Sequence, residues 1–406
     1  MTTTERPQWT NRPGSTEGWI ERAREVAAVL AEDALERDRA GATPEAEVGL
    51  LKRSGLVTLL GPTEHGGAGE TWHTAYRVIR EVAQGDGSIG QLLGYHYLWA
   101  WAARLVGTPA QIDAVDELYT SNDHFFGGAV NPRDADLVIA DEGDTLVFRG
   151  KKSFSTGGKV SDLTVLEGVL EGTDSHVFAI VPSQQPGIVF GDDWDNLGQR
   201  LTESGSVEID DVRVPWADAA GYVDKQFRPL TYNTLNVPAI QLVFTNFYLG
   251  IAQAALRAGL SYTAAHTRAW PYGGDDKEFA GEEFYLLDGY GDLQAKLWAA
   301  EALVDRVSAE IAEVLHAPRE SLTEQRRGEL AIRVAAAKQR TIEVGLEIGT
   351  RIFELTGARA TANQVGLDIY WRNLRTHSLH HPVAYKRVEV GRYALLGELP
   401  EPTWYT

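Results

Sequence analysis

The segment His377-Ser378-Leu379-His380-His381 puts imidazoles about one helical turn apart. That spacing can hold a metal ion or line a ligand site. No acidic third ligand lies close in sequence, so no metal site is expected and a polar or cofactor-contacting cluster is the reading adopted. The run Tyr95-His96-Tyr97-Leu98-Trp99-Ala100-Trp101 supplies flat apolar surfaces. Such a run usually fills a core, and half of it can also wall a pocket for a planar ligand. Gly66-Gly67-Ala68-Gly69 could cradle a phosphate, yet such a stretch also supplies the positive φ angles of a plain loop, which is the preferred reading. Several chemistries are excluded. There is no cysteine, hence no thiolate nucleophile, disulfide or thiolate metal site. Gly150-Lys151-Lys152-Ser153 lacks the upstream glycine of a nucleoside-triphosphate loop, no GxGxxG follows a strand, and no GxSxG elbow occurs.

The chain has 406 residues with 38 Lys+Arg against 57 Asp+Glu, a net charge of −19. That balance argues against nucleic acid and anionic membrane surfaces as partners. A composition of 43% hydrophobic and 23% charged residues is that of an ordinary globular protein. The first nineteen residues show no basic stretch followed by an apolar one, and the first dozen read as a polar arm. The nearest approach to a membrane-length apolar run, 89–106, is broken by Gln91, His96 and Arg104. A cytoplasmic location is expected.

These side chains must be positioned by elements whose periods change twice. Residues 19–40 place Ile20, Ala23, Val26, Ala27, Leu30 and Ala34 near 3.6 spacing, which predicts a helix. Thr43-Pro44 predicts a capping hydroxyl before a first-turn proline, and Thr108-Pro109-Ala110-Gln111 a capping box. Helical spacing resumes over 72–82. From about Phe125 to Val214 the period is two, with breaks at Gly143, Gly157-Gly158, Gly172, Pro186-Gly187 and Gly205, which predicts short antiparallel strands. From Tyr232 onward long helices are expected over 237–265, 286–315, 324–355 and 381–396, with Gly357 as a C-cap and a polar loop over 271–281. The division is therefore 1–124 helical, 125–230 a β-barrel or sandwich, and 231–406 a helical bundle.

This order resembles the acyl-CoA dehydrogenase fold, an α+β architecture of N-terminal helical domain, central β-barrel and C-terminal four-helix bundle. It resembles more closely the fold's flavin-dependent monooxygenase branch, typified by dibenzothiophene monooxygenase. The matching stretches are 36–41 (ERDRAG), 53–56 (RSGL), Gly66-Gly67, 86–90 (DGSIG), 94–96 (GYH), 192–194 (DDW), 204–206 (SGS), 250–252 (GIA) and 371–380 (WRNLRTHSLH). The last is the most specific. Where dehydrogenases carry a Glu that removes the α-proton of a thioester, this chain reads Ser-Leu-His-His-Pro. The missing carboxylate favours oxygenation.

The resemblance implies reduced FMN delivered by a separate NAD(P)H:flavin reductase. Oxygen adds at the flavin C4a carbon to give a hydroperoxide, which oxygenates a small apolar molecule at a thioether or thiophene sulfur, an amine or an indole. It also implies a homotetramer. Water must be kept out, so the aromatic run and a mobile segment over 128–136 are the expected wall and lid. By position, the cofactor contacts are Tyr95; Gly128, Ala129, Val130, Asn131, Pro132 and Arg133; Lys152, Ser153, Phe154, Ser155 and Thr156; Trp194; Arg268 from a neighbouring subunit; Ala358 and Arg359; and His380. Arg268 and Arg359 suit the phosphate, since a guanidinium presents a planar fork of donors. Thr156, His380 and Tyr95 are the implied catalytic residues. Gln91, Gly128 and Tyr95 line the substrate pocket. Two departures concern that pocket: Gln91 and Gly128 stand where desulfurising members carry His and Asn. The alternatives are an FAD-dependent acyl-CoA dehydrogenase and a catalytically silent scaffold.

Overall fold

The computed structural model describes residues 9–133, 136–272, 277–403 and 405–406. Its helices before the sheet are α1 (Thr16–Ala31), α2 (Ala34–Ala40), α3 (Glu45–Arg53), α4 (Trp72–Gly85), α5 (Gly87–Ala100), α6 (Ala102–Val106) and α7 (Pro109–Ser121). α1 buries Trp19, Ile20, Ala23, Val26, Ala27 and Leu30 on one face, and the Ser15 hydroxyl accepts from the Gly18 amide at its start. The capping box at Thr108 and Gln111 forms as expected. The Thr43 hydroxyl does not cap: Pro44 occupies the cap position of α3, and the Glu45 amide bonds the Thr43 carbonyl instead. α5 is buried on every side. Its first turn is fixed by Asp86, whose carboxylate accepts from the Ser88 and Ile89 amides at 2.9 and 3.3 Å while Arg37 holds the other oxygen at 2.9 Å.

The strands are β1 (Phe126–Ala129), β2 (Leu137–Asp141), β3 (Thr145–Lys152), β4 (Leu163–Leu170), β5 (His176–Pro182), β6 (Ile188–Phe190) and β7 (Val207–Pro215), with a small hairpin of β8 (Tyr222–Val223) and β9 (Gln226–Phe227). Seven form one sheet in the order β1-β4-β2-β3-β7-β6, with β5 also on β4. It curls round its own core of Leu137, Ile139, Phe148, Leu166, Val177 and Ile209. The expected antiparallel pairing holds for β2–β3, β3–β7, β4–β5 and β6–β7, and needs correction only where β1 and β2 run parallel to β4. Alternation decides which face a side chain takes and carries no information on strand direction.

The last third holds α8 (Asn236–His266), α9 (Phe284–Leu315), α10 (Glu324–Thr356), α11 (Asp368–Ser378) and α12 (Val383–Leu396). α8 is long and apolar enough to cross a membrane, and it lies inside the protein, packed between α4, α5, α9 and α10. α10 stops at Gly357, which takes φ +83°. α12 begins at Val383, after Pro382, rather than at His381. Arg80 of α4 joins the halves, donating to Asn246 of α8 at 2.9 Å and Asp305 of α9 at 2.6 Å.

Candidate active site

The site is built where α5, α8 and α11 meet. Tyr95 stacks on Phe244 of α8, with centroids 5.5 Å apart and planes within 20°. His377 of α11 stands edge-on to Phe244 at 4.6 Å. Its protonation pattern follows from its partners. The Tyr248 hydroxyl donates to the His377 carbonyl at 3.1 Å, so its oxygen accepts from His377 Nδ1–H at 2.6 Å. Nε2 is then bare and accepts the Tyr95 hydroxyl at 3.1 Å. Burial, with His380 and Lys338 adding, holds His377 far below its usual range, and burial raises both phenols. The Tyr95 hydroxyl is therefore tied to His377, and what Tyr95 offers a ligand is its ring.

His380 follows α11 and keeps an exposed face. Its other sides meet Phe244 at 4.9 Å and His377 at 5.6 Å. Desolvation first, then Lys338, lowers its pKa, so it is neutral at pH 7. No carboxylate is hydrogen-bonded to Tyr95, His377 or His380 among the described residues. The imidazole pattern that could have held a metal is thus engaged by tyrosine, lysine and aromatic neighbours.

On the barrel side, the Gly128 amide donates to the Thr156 carbonyl at 3.2 Å. The Thr156 hydroxyl pairs with Ser204 at 2.9 Å, and Ser204 with Thr202 at 2.8 Å. Phe154 sits at φ +59° and is 62% exposed, edge-on to Trp194 at 6.3 Å. Trp194 donates its indole N–H to the Gln199 carbonyl at 2.8 Å. The two halves meet at Gly128: a Cβ there would lie 2.5 Å from Trp99 Cε2 and Nε1, so the Trp99 indole fills that space. Trp99 in turn stands edge-on to Tyr95 at 6.2 Å. The Gly128 departure therefore closes the wall with an indole instead of opening it. Gln91, one turn before Tyr95 on α5, is buried with Oε1 unpartnered among the described residues.

Other expected residues fall elsewhere. Gly128 and Ala129 belong to buried strand β1 and cannot be part of a lid. Val130, Asn131, Pro132 and Arg133 follow it, and Asp134 and Ala135 lie outside the described residues. Lys152 points into the barrel, bonding buried Glu167 at 2.9 Å and the Asn131 carbonyl at 3.1 Å, so it anchors that loop. Ser153 meets the Asn131 amide at 3.4 Å and Ser155 bonds the Gly205 carbonyl at 2.8 Å. Arg268 and Arg359 are exposed at the opposite end of the bundle, where Thr267 bonds the Thr356 carbonyl at 3.0 Å, with Ala358 beside them. Phe244 and His266 are 22 residues apart on α8, about 33 Å at 1.5 Å per residue. A mononucleotide at His380 cannot reach Arg268 or Arg359 of its own chain. The loop at Gly66 and Gly67 turns its carbonyls to Arg12, so it is not a phosphate cradle. The sequence pattern left Phe244, Tyr248 and Gln199 unmarked, and marked Ser204 only as part of the 204–206 stretch. An all-round apolar helix gives no sign of which face meets a site.

Beyond Trp99 lies a cavity of ≈ 600 Å³ lined by Leu105, Phe178, Ile180, Tyr222, Leu230 and Val237 among others. The site fits a flavin: aromatic walls for a planar ring, hydroxyls at Thr156 and Ser204 for its polar edge, and buried polar atoms of Gln91, Trp99 and Gln199 that have no partner among the described residues.

Comparisons with known proteins agree. The family model "Acyl-CoA dehydrogenase, N-terminal domain" matches residues 17–115 and "Acyl-CoA dehydrogenase, C-terminal domain" matches 242–384. A probable FMNH2-dependent monooxygenase of Pseudomonas putida, SfnC, is 36% identical over 95% of this chain and 96% of its own. Methanesulfinate monooxygenase MsuC of Pseudomonas fluorescens superposes with a TM-score of 0.91 at 38% identity, over 95% of this chain and 99% of its own. TdsC of Paenibacillus sp. A11-2, solved with FMN and indole, gives 0.90 at 34% identity, over 96% and 99%. The chain belongs to the acyl-CoA dehydrogenase family, in its branch of flavin-dependent monooxygenases.

Proposed function

We propose that this monooxygenase takes reduced FMN from a separate NAD(P)H:flavin reductase and places one atom of O2 on a small, largely apolar molecule at sulfur, nitrogen or an indole-like ring. Bound reduced FMN supplies the two electrons that activate dioxygen. The chain's own residues do the rest. Tyr95, Trp99 and Phe244 exclude water from the reacting edge. Thr156, backed by Ser204, offers a hydroxyl there, and His380 holds a proton at its exposed face. Gln91 and Tyr95 flank the substrate, and Trp194 and Phe154 flank the ring.

The observation that carries this reading is a cluster of histidines between aromatic walls to which, among the described residues, no carboxylate is hydrogen-bonded. Such a site lacks the base a dehydrogenase needs. Arg268 and Arg359 hold the phosphate from a neighbouring subunit in a homotetramer. In support, Trp270 and Phe284 are exposed near the same bundle end. A cytoplasmic location goes with a soluble reductase as supplier. The test uses a flavin reductase, NADH, FMN and oxygen-18 gas with methanesulfinate, dibenzothiophene and indole. Product carrying one labelled oxygen is expected. A tightly held FAD bleached by acyl-CoA, with no label incorporated, would replace this reading with the dehydrogenase.

A further inference from the structure

The ≈ 600 Å³ cavity beyond Trp99 is closed on one side by β5, whose alternation turns Val177, Ala179 and Val181 into the barrel core and His176, Phe178 and Ile180 toward the cavity. Leu105 of α6 and Val237 of α8 close the other side, and Leu230 and Pro402 stand at the exposed rim. The wall at Pro402 is held because the Tyr405 carbonyl accepts from Gln241 of α8 at 2.8 Å and from Lys386 of α12 at 2.5 Å. The inner end is the Trp99 indole, which also stands edge-on to Tyr95 at 6.2 Å. Its N–H has no partner among the described residues, so packing alone holds this partition. Among the described residues no lysine or arginine lines the cavity. The lining groups that can carry charge near neutral pH are Asp174, exposed at the rim, and His176, whose Nδ1 faces the buried Glu167 carboxylate at 2.5 Å. Neighbouring polar side chains are satisfied within the protein. Asn233 bonds the Leu105 carbonyl and the Leu230 amide, each at 2.6 Å. The Thr234 hydroxyl donates to the Thr231 carbonyl at 2.7 Å and accepts from Arg327 at 2.9 Å.

An anion entering such a space would leave water with no cation to meet it, and an unpaired buried charge is among the costliest things a protein can hold. Size points the same way. The volume lies within the roughly 300–1,000 Å³ of pockets that hold drug-sized ligands, and a one-carbon molecule would leave most of it unfilled. We propose that this cavity is the chamber that binds the substrate, and that it selects a neutral, largely apolar molecule of more than one ring against a small anion such as a sulfinate. This rests on the monooxygenase reading above and names its substrate class. The attraction is hydrophobic: a flat occupant removes Phe178 and Ile180 on one side and Leu105 and Val237 on the other from water. The chamber ends one ring from Tyr95, and no hydrogen bond pins that ring. An occupant that displaces the indole brings its leading edge to the aromatic wall of the reacting site. A charged head group would have to cross the same aromatic layer without a counter-ion.

The test measures binding to the cofactor-free protein by equilibrium dialysis, with dibenzothiophene, indole and methanesulfinate as probes. Wild type should hold dibenzothiophene and indole each about tenfold or more tighter than methanesulfinate. Ile180→Trp on β5 and Leu230→Trp at the rim fill the chamber from two sides. Each should weaken dibenzothiophene about tenfold or more, while FMN affinity, circular dichroism and the melting midpoint stay near wild type. Leu230 is exposed, so its variant carries the test alone if Ile180→Trp does not fold. With reductase, NADH and FMN, both variants should raise KM for dibenzothiophene more than they lower kcat. Dibenzothiophene binding that ignores the fillings, or methanesulfinate held as tightly as dibenzothiophene, would overturn the chamber even if wild type oxygenates normally. A wild type that binds dibenzothiophene, loses it on filling, and yet places labelled oxygen on nothing would sink the monooxygenase reading and leave the binding site standing.

Discussion

Replacing Gly128 by Ala strains the contact that joins the two halves of the site. The added Cβ would stand 2.5 Å from Trp99 Cε2 and Nε1 and 2.9 Å from Cζ2, where ordinary contacts begin at 3.4 Å. The indole must retreat by about 0.9 Å, since β1 is paired to β4 and cannot give. Forcing one methyl into a packed core costs about 1–3 kcal/mol. Trp99→Leu alone should cost on the order of 2 kcal/mol through the space it leaves. Combined, each change relieves the other, and the cycle should show favourable coupling of about 1–2 kcal/mol. Denaturant midpoints at unchanged slope give the four free energies. Because Trp99 separates the ≈ 600 Å³ cavity from Tyr95, peroxide release should rise in both single variants. Effects that add to within about 0.5 kcal/mol would show that Gly128 and Trp99 do not compete for this space.

Thr156→Val should leave stability nearly unchanged, because Ser204 keeps Thr202 as a partner, while the peroxide-to-product ratio rises about 2–10-fold for a hydrogen bond of about 0.5–1.5 kcal/mol; Thr156→Ser should restore it. His96 bonds the Val57 carbonyl through Nε2–H at 2.7 Å and accepts the Phe126 amide at Nδ1, and burial lowers its pKa to about 4. Its folded value lies below the unfolded 6.5, so its share of stability is complete above about pH 6.5 and lost as pH falls toward 4, about 3 kcal/mol in all. His96→Asn should flatten that slope by about one proton in unfolding curves taken across this window. Arg268→Ala should abolish FMN binding in its own homo-oligomer, and co-assembly with Thr156→Val should restore coupled oxygenation. Mixed oligomers no better than the separate variants would remove Arg268 from the neighbour's site.

Much of the fold was legible because its signals are local. The capping box at Thr108, the stop at Gly357 and the change of period near Phe125 each concern residues within a few positions of one another. What failed was non-local or degenerate. Strand direction on β4 depends on where a distant segment returns, and Thr43 lost its cap to a backbone carbonyl that no side-chain pattern encodes. Gly66 and Gly67 read as a loop on conformational grounds, and the Arg12 contact that settles it spans more than fifty residues.

The site was legible only in its chemistry-bearing side chains. Tyr95 and His380 stand in unusual local company, an aromatic run and an imidazole cluster. Phe244 and Tyr248 sit in a helix apolar all round, where no residue is marked out from the next. Lys338 did carry a signal: it falls one position after Ala337 and three before Thr341, inside the buried stripe of α10 that also holds Val334. A lysine on such a stripe, with no acid four residues away on the same face, must find an unusual partner or give up its charge. What meets it is the ring of His381, forty-three residues on, together with the Phe244 ring, neither of them near it in sequence. Burial with aromatic rings and no acid on its own face pushes the Lys338 pKa well down, so the residue that breaks the stripe is the one whose charge the fold works against.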